Sequence, residues 1–108
     1  MFQPMARGGD ISRKLLETGI YYSKSADGSM VSVTVGKTDL TPNVYYVTSA
    51  MPSNLRPLHY HYYNITNGGG DKTKPVFCYI TTTGEIHIAS TTTDAYGTFT
   101  YPLEKVEL

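Results

Sequence analysis

The sequence has no net charge, no tryptophan, one cysteine and no long hydrophobic run, and these absences exclude several classes of protein. Lysine plus arginine equals aspartate plus glutamate at nine each, so no net positive field is present to attract a phosphate backbone. No apolar run approaches the ~20 residues that cross a bilayer. Met1–Asp10 lacks the apolar segment of a signal peptide. We therefore expect a chain made in the cytoplasm, with no nucleic-acid partner and no membrane insertion.

The single cysteine, Cys78, excludes an intrachain disulfide. It lies between Val76 and Ile80, which share its face of a predicted strand, so we expect a buried thiol that packs as a small apolar group. A nucleophilic cysteine needs a base and an exposed, electropositive setting, and the neighbouring sequence offers neither.

What the chain does contain is tyrosine, at ten residues out of 108. Tyrosine combines a large ring with a polar tip, which suits half-exposed sheets, subunit interfaces and sugar-binding surfaces alike. With 40% hydrophobic and 17% charged residues, the chain has the composition of one globular domain with a modest core.

Apolar and polar residues alternate with a period of two from Gly19 onward, and this pattern predicts strands. It is clearest in Met30–Val35, where three valines point to one face and serine and threonine to the other. The other predicted strands are Ile20–Lys24, Val44–Met51, Leu58–Ile65, Val76–Thr81, Glu85–Ala89 and Thr98–Tyr101. Seven or eight short strands with regular turns predict an all-β, antiparallel β-sandwich, jelly-roll-like in form, although the pattern alone does not distinguish a jelly roll from other sandwiches.

The residues before this region are expected to form an N-terminal arm or short helix, residues 1–18, ahead of a β-sandwich head domain, residues 19–108. Asp10–Glu17 could form two helical turns, because Asp10 can cap a helix and Ile11, Leu15 and Leu16 have roughly helical spacing. A helix this short needs something to dock on.

The second half of the chain carries short motifs in the order and spacing of a known family. They are Met51-Pro52-x-x-Leu55-Arg56-Pro57, an aromatic strand, a glycine turn, Gly84-Glu85-Ile86-His87-Ile88 and Tyr101-Pro102-Leu103. Over Met51–Leu103 the chain resembles the terminal head domain of bacteriophage tail-fibre and baseplate receptor-binding proteins. The resemblance implies a β-sandwich head of the virion that assembles as a homotrimer, contacts other tail or baseplate proteins and recognises a glycan on the bacterial surface.

Elementary chemistry assigns structural roles to these motif residues. Pro52 and Pro57 favour a rigid extended corner, and Arg56 between them can donate hydrogen bonds to loop carbonyls. Gly84 can supply the positive φ of a tight hairpin, and Pro102 can end the last strand. The motif therefore predicts a fold more directly than it predicts a site.

The candidate ligand-binding residues lie on two polar loops that a rigid sandwich would display. Sugar recognition combines an aromatic ring with several hydrogen-bonding groups. The residues that offer these groups are Asn67, Asp71, Lys72, Thr93, Asp94 and Tyr96. The alternative interpretation is that each is a solvated loop residue without a ligand.

His59 and His61 lie two residues apart on a predicted strand, so they would share one face. In a trimer, three such pairs could present six imidazoles to one metal ion, an arrangement in keeping with the resemblance. The alternative is two half-exposed residues hydrogen-bonded to water, and no carboxylate or thiolate partner is spaced nearby. We predict neither a metal nor a cofactor.

The motifs of the common enzymes are missing from the sequence. It contains no Gly-x-Ser-x-Gly, phosphate loop or zinc signature, and no motif places two acids as a glycosidase requires. We therefore predict a non-enzymatic phage receptor-binding domain. Two alternatives are a structural virion or baseplate protein whose tyrosine-rich faces bind other viral proteins, and a lectin-like bacterial domain.

Overall fold

The computed structural model describes residues 13–104, which form two antiparallel sheets of four strands each. Sheet A contains β1 (Lys14–Glu17), β2 (Ile20–Lys24), β3 (Met30–Lys37) and β8 (Ala95–Pro102), in the order β1-β2-β3-β8. Sheet B contains β4 (Tyr46–Val47), β5 (His61–Ile65), β6 (Val76–Ile80) and β7 (Ile86–Ser90), in the order β4-β7-β6-β5. The prediction of an antiparallel β-sandwich of seven or eight strands is confirmed.

The strand order is simpler than that of a full jelly roll. Sheet A starts as a meander of β1 to β3, and β8 returns to pair with β3 from Met30–Pro102 to Lys37–Ala95. Sheet B is a Greek key, because β5 to β7 form a meander and β4 lies beside β7. A jelly roll contains two Greek keys. The described helical structure is one 3-10 turn, Ser53–Leu55, and nothing helical in residues 13–104 could span a membrane.

The core lies between the sheets and follows the predicted alternation. The valines of β3 face Ile86 and Ile88 of β7 in one apolar cluster. Cys78 lies in this cluster, and burial raises the pKa of its thiol to about 12. The expectation of a buried thiol that packs as an apolar group is therefore confirmed.

The motif residues of the second half of the chain assemble in one corner of the sandwich. The Met51 N–H donates to the Gly84 carbonyl at 2.9 Å, and Arg56 Nε donates to the Met51 carbonyl at 2.9 Å. Gly84 has φ +85°, and a Cβ there would lie 2.9 Å from Met51 N. The buried Tyr101 hydroxyl donates to the Leu55 carbonyl at 2.7 Å. Three separated motifs thus form one packing unit, and the predicted scaffold roles of Arg56 and Gly84 are confirmed.

The N-terminal helix prediction is wrong for Lys14–Glu17, which form edge strand β1 instead. Gly19 has φ +85°, and its carbonyl accepts a hydrogen bond from Gly36 N at 2.7 Å, so the chain turns back into β2 at this point. In the resulting hairpin, the four-residue segment gains backbone hydrogen-bond partners on β2. A helix of two turns would be unstable by itself and would have to dock on another surface. Sheet A therefore begins before residue 19, and residues 1–12 lie outside the described part of the chain.

Two predicted strands are shorter than expected. Val44–Met51 contributes only Tyr46–Val47, because the Thr48 hydroxyl accepts the Ile86 N–H at 3.0 Å in place of a regular ladder bond. In Leu58–Ile65, strand pairing starts at His61.

The outer edges of the two sheets are linked on both sides of the sandwich. On one side, Thr66 and Tyr96 exchange backbone hydrogen bonds of 3.0 and 2.7 Å, which join the end of β5 to β8. On the other side, the Glu17 carboxylate of β1 accepts hydrogen bonds from the Tyr46 hydroxyl and, at 2.6 Å, from Ser49 N. Burial raises the pKa of Glu17, but these hydrogen bonds lower it by more, so it lies below its ordinary value.

Candidate functional site

Two polar loops meet at the corner where β5 joins β8. Residues 66–75 connect β5 to β6, and residues 91–94 connect β7 to β8. The Thr66–Tyr96 bridge holds the bases of both loops together. The two loops therefore form one surface although fifteen residues separate them in the sequence.

Asn67 organises the longer loop from within. Only 4% of it is exposed, and its Nδ2 donates to the carbonyls of Asp71 and Lys74 at 2.9 and 2.8 Å. Its Oδ1 accepts from the N–H groups of Gly69 and Asp71 at 2.9 and 3.3 Å. One side chain thus satisfies four backbone groups of the turn, which a loop must do when it lacks a ladder partner.

Asp94 ties the shorter loop to the longer one. Its Oδ1 accepts from Gly68 N at 3.1 Å and from the Thr92 hydroxyl at 2.8 Å. A Cβ on Gly68 would lie 3.0 Å from the Tyr96 ring and would collide with the Asp94 carboxylate, so only glycine allows this close approach.

A cavity of about 470 Å³ lies beside these loops and opens to solvent. Its polar and aromatic lining includes Asn64, Asp71, Lys72, Lys74, Tyr96 and Thr98. The lysines and the carboxylate offer donors and an acceptor, and Tyr96, 36% exposed, offers a ring. This combination can bind an uncharged polyhydroxylated ligand by stacking and hydrogen bonding.

The predicted ligand-binding residues divide into two groups in the structure. Asp71, Lys72 and Tyr96 line the cavity. Asn67 and Asp94 instead hold the loops through the hydrogen bonds described above, and neither they nor Thr93 belong to the cavity lining. The Thr93 carbonyl accepts a hydrogen bond from Leu40 N at 2.9 Å.

Sequence reasoning missed Asn64, Lys74 and Thr98. Asn64 and Thr98 lie on strands, where alternation identifies them only as outward-facing, and Lys74 looks like any solvated loop lysine. The signal that could have found Lys74 is its position beside Pro75, at the point where the loop returns to the sheet.

Comparison of the chain with known protein families, curated proteins and solved structures finds no match. The contacts of the chain itself therefore carry the functional reasoning that follows.

The two histidines proposed as an alternative metal site do not share a strand. His59 precedes β5, whereas His61 is its first residue and lies half-buried beside the Tyr101 ring, at 6.5 Å between centroids. His61 Nε2 is 4.0 Å from a Glu104 carboxylate oxygen. Between residues 13 and 104, no three His, Cys, Asp or Glu side chains lie close enough together to hold a metal ion.

The outer faces of the two sheets differ sharply in chemistry. On sheet A, the Ser32–Thr100 and Thr34–Thr98 hydroxyl pairs lie 3.0 and 3.4 Å apart across β3 and β8. On sheet B, outward side chains form an uncharged surface that we call the aromatic face. Its members are Tyr45, Val47, Tyr60, Tyr62, Phe77, Tyr79, His87 and Ala89.

We expect the free energy of unfolding to fall as the pH is lowered from about 4 to about 2. Hydrogen bonds from Ser29 and Ser25 lower the pKa of Asp27 from 3.8 to about 2. Hydrogen bonds from Thr73 lower the pKa of Asp71, and those from Gly68 and Thr92 lower that of Asp94. The folded state therefore binds fewer protons than the unfolded state, so the stabilisation is complete above the unfolded pKa values and is lost as each folded pKa is passed.

Urea unfolding at pH 7, 4 and 2.5 measures this dependence. Asp27→Asn should make the dependence of the unfolding free energy on pH weaker, because it removes the carboxylate with the largest of the three pKa shifts. A free energy of unfolding that does not change between pH 4 and pH 2.5 would contradict the hydrogen bonding of these carboxylates.

Proposed function

We propose that this chain is a non-enzymatic receptor-binding domain of a bacteriophage tail fibre or baseplate, and that it binds a bacterial surface saccharide in the loop cavity. The observation that carries the proposal is the convergence of Asp71 and Lys72, from the 66–75 loop, and Tyr96, from β8, on one solvent-open cavity. A half-exposed ring beside donors and an acceptor is the chemistry that sugars require.

Binding without catalysis agrees with the electrostatics of the loops. Hydrogen bonds hold the pKa values of Asp71 and Asp94 below their ordinary range, so both carboxylates stay ionised near neutral pH. A glycosidase instead needs one carboxylic acid with a raised pKa to protonate the leaving oxygen. These acids are suited to accept hydrogen bonds from a ligand and from the loop backbone.

The phage context, the homotrimer and the contacts with other tail or baseplate proteins follow from the sequence resemblance and belong to the same proposal. Its structural support is that Met51, Arg56, Gly84 and Tyr101, which carry the resemblance, are parts of one packing unit. On this proposal the chain is made in the host cytoplasm and acts as part of the virion.

A glycan array followed by titration of the best ligand tests the saccharide site. We expect saturable binding that Tyr96→Ala weakens by about tenfold, which corresponds to ~1.4 kcal/mol. Tyr21→Ala is the matched control, because Tyr21 lies on β2 outside the cavity lining and should bind as the original chain does. Absence of saturable glycan binding, or equal binding by the Tyr96→Ala variant, would refute the site.

The aromatic face supports a second candidate function, that of a structural protein. An uncharged surface rich in tyrosine is typical of protein interfaces, and it favours a structural virion or baseplate protein that binds other proteins. A lectin-like bacterial domain would share the saccharide site but not the virion context. Attachment to host cells that free sugar competes away supports the receptor-binding function. A stable complex with another virion protein, without such attachment, supports the structural function.

A further inference from the structure

The aromatic face is built around Tyr79 at the centre of sheet B. Its ring centroid lies 4.6 Å from that of His87, 5.3 Å from Tyr62, 5.9 Å from Tyr60 and 5.7 Å from Tyr45. The Tyr79 hydroxyl also lies 3.2 Å from His87 Nδ1. The rings therefore support one another, and little side-chain entropy is left to lose when something covers them.

The orientation of the rings argues against a sugar as the occupant. Tyr79 stacks on His87 and on Tyr60 with interplanar angles of 15° in both pairs. The ring of Tyr79 is thus stacked on two neighbouring rings, and its hydroxyl lies beside His87 Nδ1. A sugar stacks on a free ring face, so the central ring of this surface is poorly suited to a sugar.

The size of the face fits a protein interface. Tyr62 is 71% exposed, and Tyr45, Tyr60 and Phe77 are each about half exposed. With 150–250 Å² for a whole aromatic side chain, the exposed aromatic area is roughly 330–560 Å². This area is comparable to the largest apolar patch of a typical monomer, which is often functional, and it supplies about half of the ~800 Å² per partner in a stable interface.

The chemistry of the face fits a second copy of the same chain. Foreign partners are commonly selected by complementary charges, and no lysine, arginine, aspartate or glutamate is among the members of this face. Identical uncharged surfaces bring no like charges together. A tyrosine hydroxyl both donates and accepts, so the tips of Tyr60 and Tyr62 can pair with the same residues of another copy.

The aromatic face also carries a groove that another copy can occupy. The row Val47–His87–Tyr79–Tyr62 crosses all four strands as a ridge. Two residues of this row, Tyr62 and Tyr79, also line a groove of about 360 Å³ together with Tyr45 and Phe77. An aromatic side chain of another copy can therefore enter this groove, as interdigitating side chains do between packed sheets.

We propose that the aromatic face is the surface through which copies of this chain associate. The proposal rests on sheet B alone and gives the interface of the self-assembly that the proposed function includes. The saccharide site is a different one, since it lies in the loop cavity and shares only Asn64 with the groove on this face.

Sedimentation velocity between about 1 and 200 μM, with circular dichroism as a check of folding, tests the proposal. We expect concentration-dependent self-association that Tyr62→Glu weakens at least tenfold. Tyr21→Glu is the matched control, because it places the same charge at a tyrosine of sheet A and should associate normally. Phe77→Ser, a second variant on the face without added charge, covers the case in which Tyr62→Glu fails to fold.

A monomer at every concentration would overturn the proposal. So would self-association that the folded Tyr62→Glu and Phe77→Ser variants retain, or a monomeric chain whose aromatic face instead binds a virion protein. Saccharide titration of the same variants distinguishes the two proposals. A variant that no longer self-associates but still binds glycan has lost the function of the aromatic face only.

Discussion

Ile88→Ala is expected to lower the free energy of unfolding by about 2–5 kcal/mol, the range for large-to-small substitutions in a packed core. Ile88 is fully buried on β7, between Tyr46 of β4 and Cys78 of β6. It contributes to the apolar cluster that joins the two sheets, so its removal leaves a cavity that strands on both sides keep open.

Denaturant unfolding followed by far-ultraviolet circular dichroism measures this change. Val44→Ala is the control, because Val44 is 56% exposed and should change the stability by no more than about 0.5 kcal/mol. A loss below about 1 kcal/mol for Ile88→Ala would show that the sheets do not pack through this position.

Asn67→Ala is expected to disorder the 66–75 loop, to abolish saccharide binding and to lower the free energy of unfolding by about 1–3 kcal/mol. The substitution removes the side chain that pairs with the carbonyls of Asp71 and Lys74 and with two backbone N–H groups. No other side-chain hydrogen bond of the described chain reaches these two carbonyls. The loop would lose the conformation that brings Asp71 and Lys72 to the cavity.

Amide hydrogen exchange at Gly69 and Asp71, measured together with glycan titration, tests this role. Thr93→Ala is the matched control, because the exposed Thr93 side chain lies on the other loop and outside the cavity lining. Asn67→Asp keeps the acceptor but loses both donors, so it should have an intermediate effect. Unchanged exchange and binding in Asn67→Ala would show that the loop is held by other contacts.

Much of the sandwich could be predicted because burial and strand alternation share a period of two. Ile20–Lys24 and Met30–Val35 alternate strictly in sequence and lie on paired strands with one buried face. Edge strand β1 was missed for a physical reason. Four residues give too few alternations to distinguish a strand from a helix, and pairing with β2 decides the outcome.

The candidate site was only partly predictable. Asp71, Lys72 and Tyr96 have the residue types of a binding loop, and the structure brings them to one cavity. The supporting role of Asn67 depends on where the chain turns, and the contacts of Glu17 depend on Tyr46 and Ser49, about thirty positions away. Residue type alone does not reveal such non-local hydrogen bonds.

The aromatic face shows the same limit. Ten tyrosines suit a half-exposed sheet, an interface or a sugar-binding surface, yet composition does not place Tyr62 beside Tyr79, or Tyr79 beside His87. Those neighbours follow from the pairing of β5 with β6 and of β6 with β7. A one-residue change of register in β6 would turn Tyr79 inward and Cys78 outward.

The pairing of β3 with β8 has a consequence for how the chain folds. It joins Met30 to Pro102, and all of sheet B lies in the sequence between these two strands. The local hairpins β5–β6 and β6–β7 can form early, whereas closing β3 on β8 has to bring together residues 58 to 72 positions apart. We therefore expect a high contact order and folding in milliseconds to seconds, with sheet A completed last.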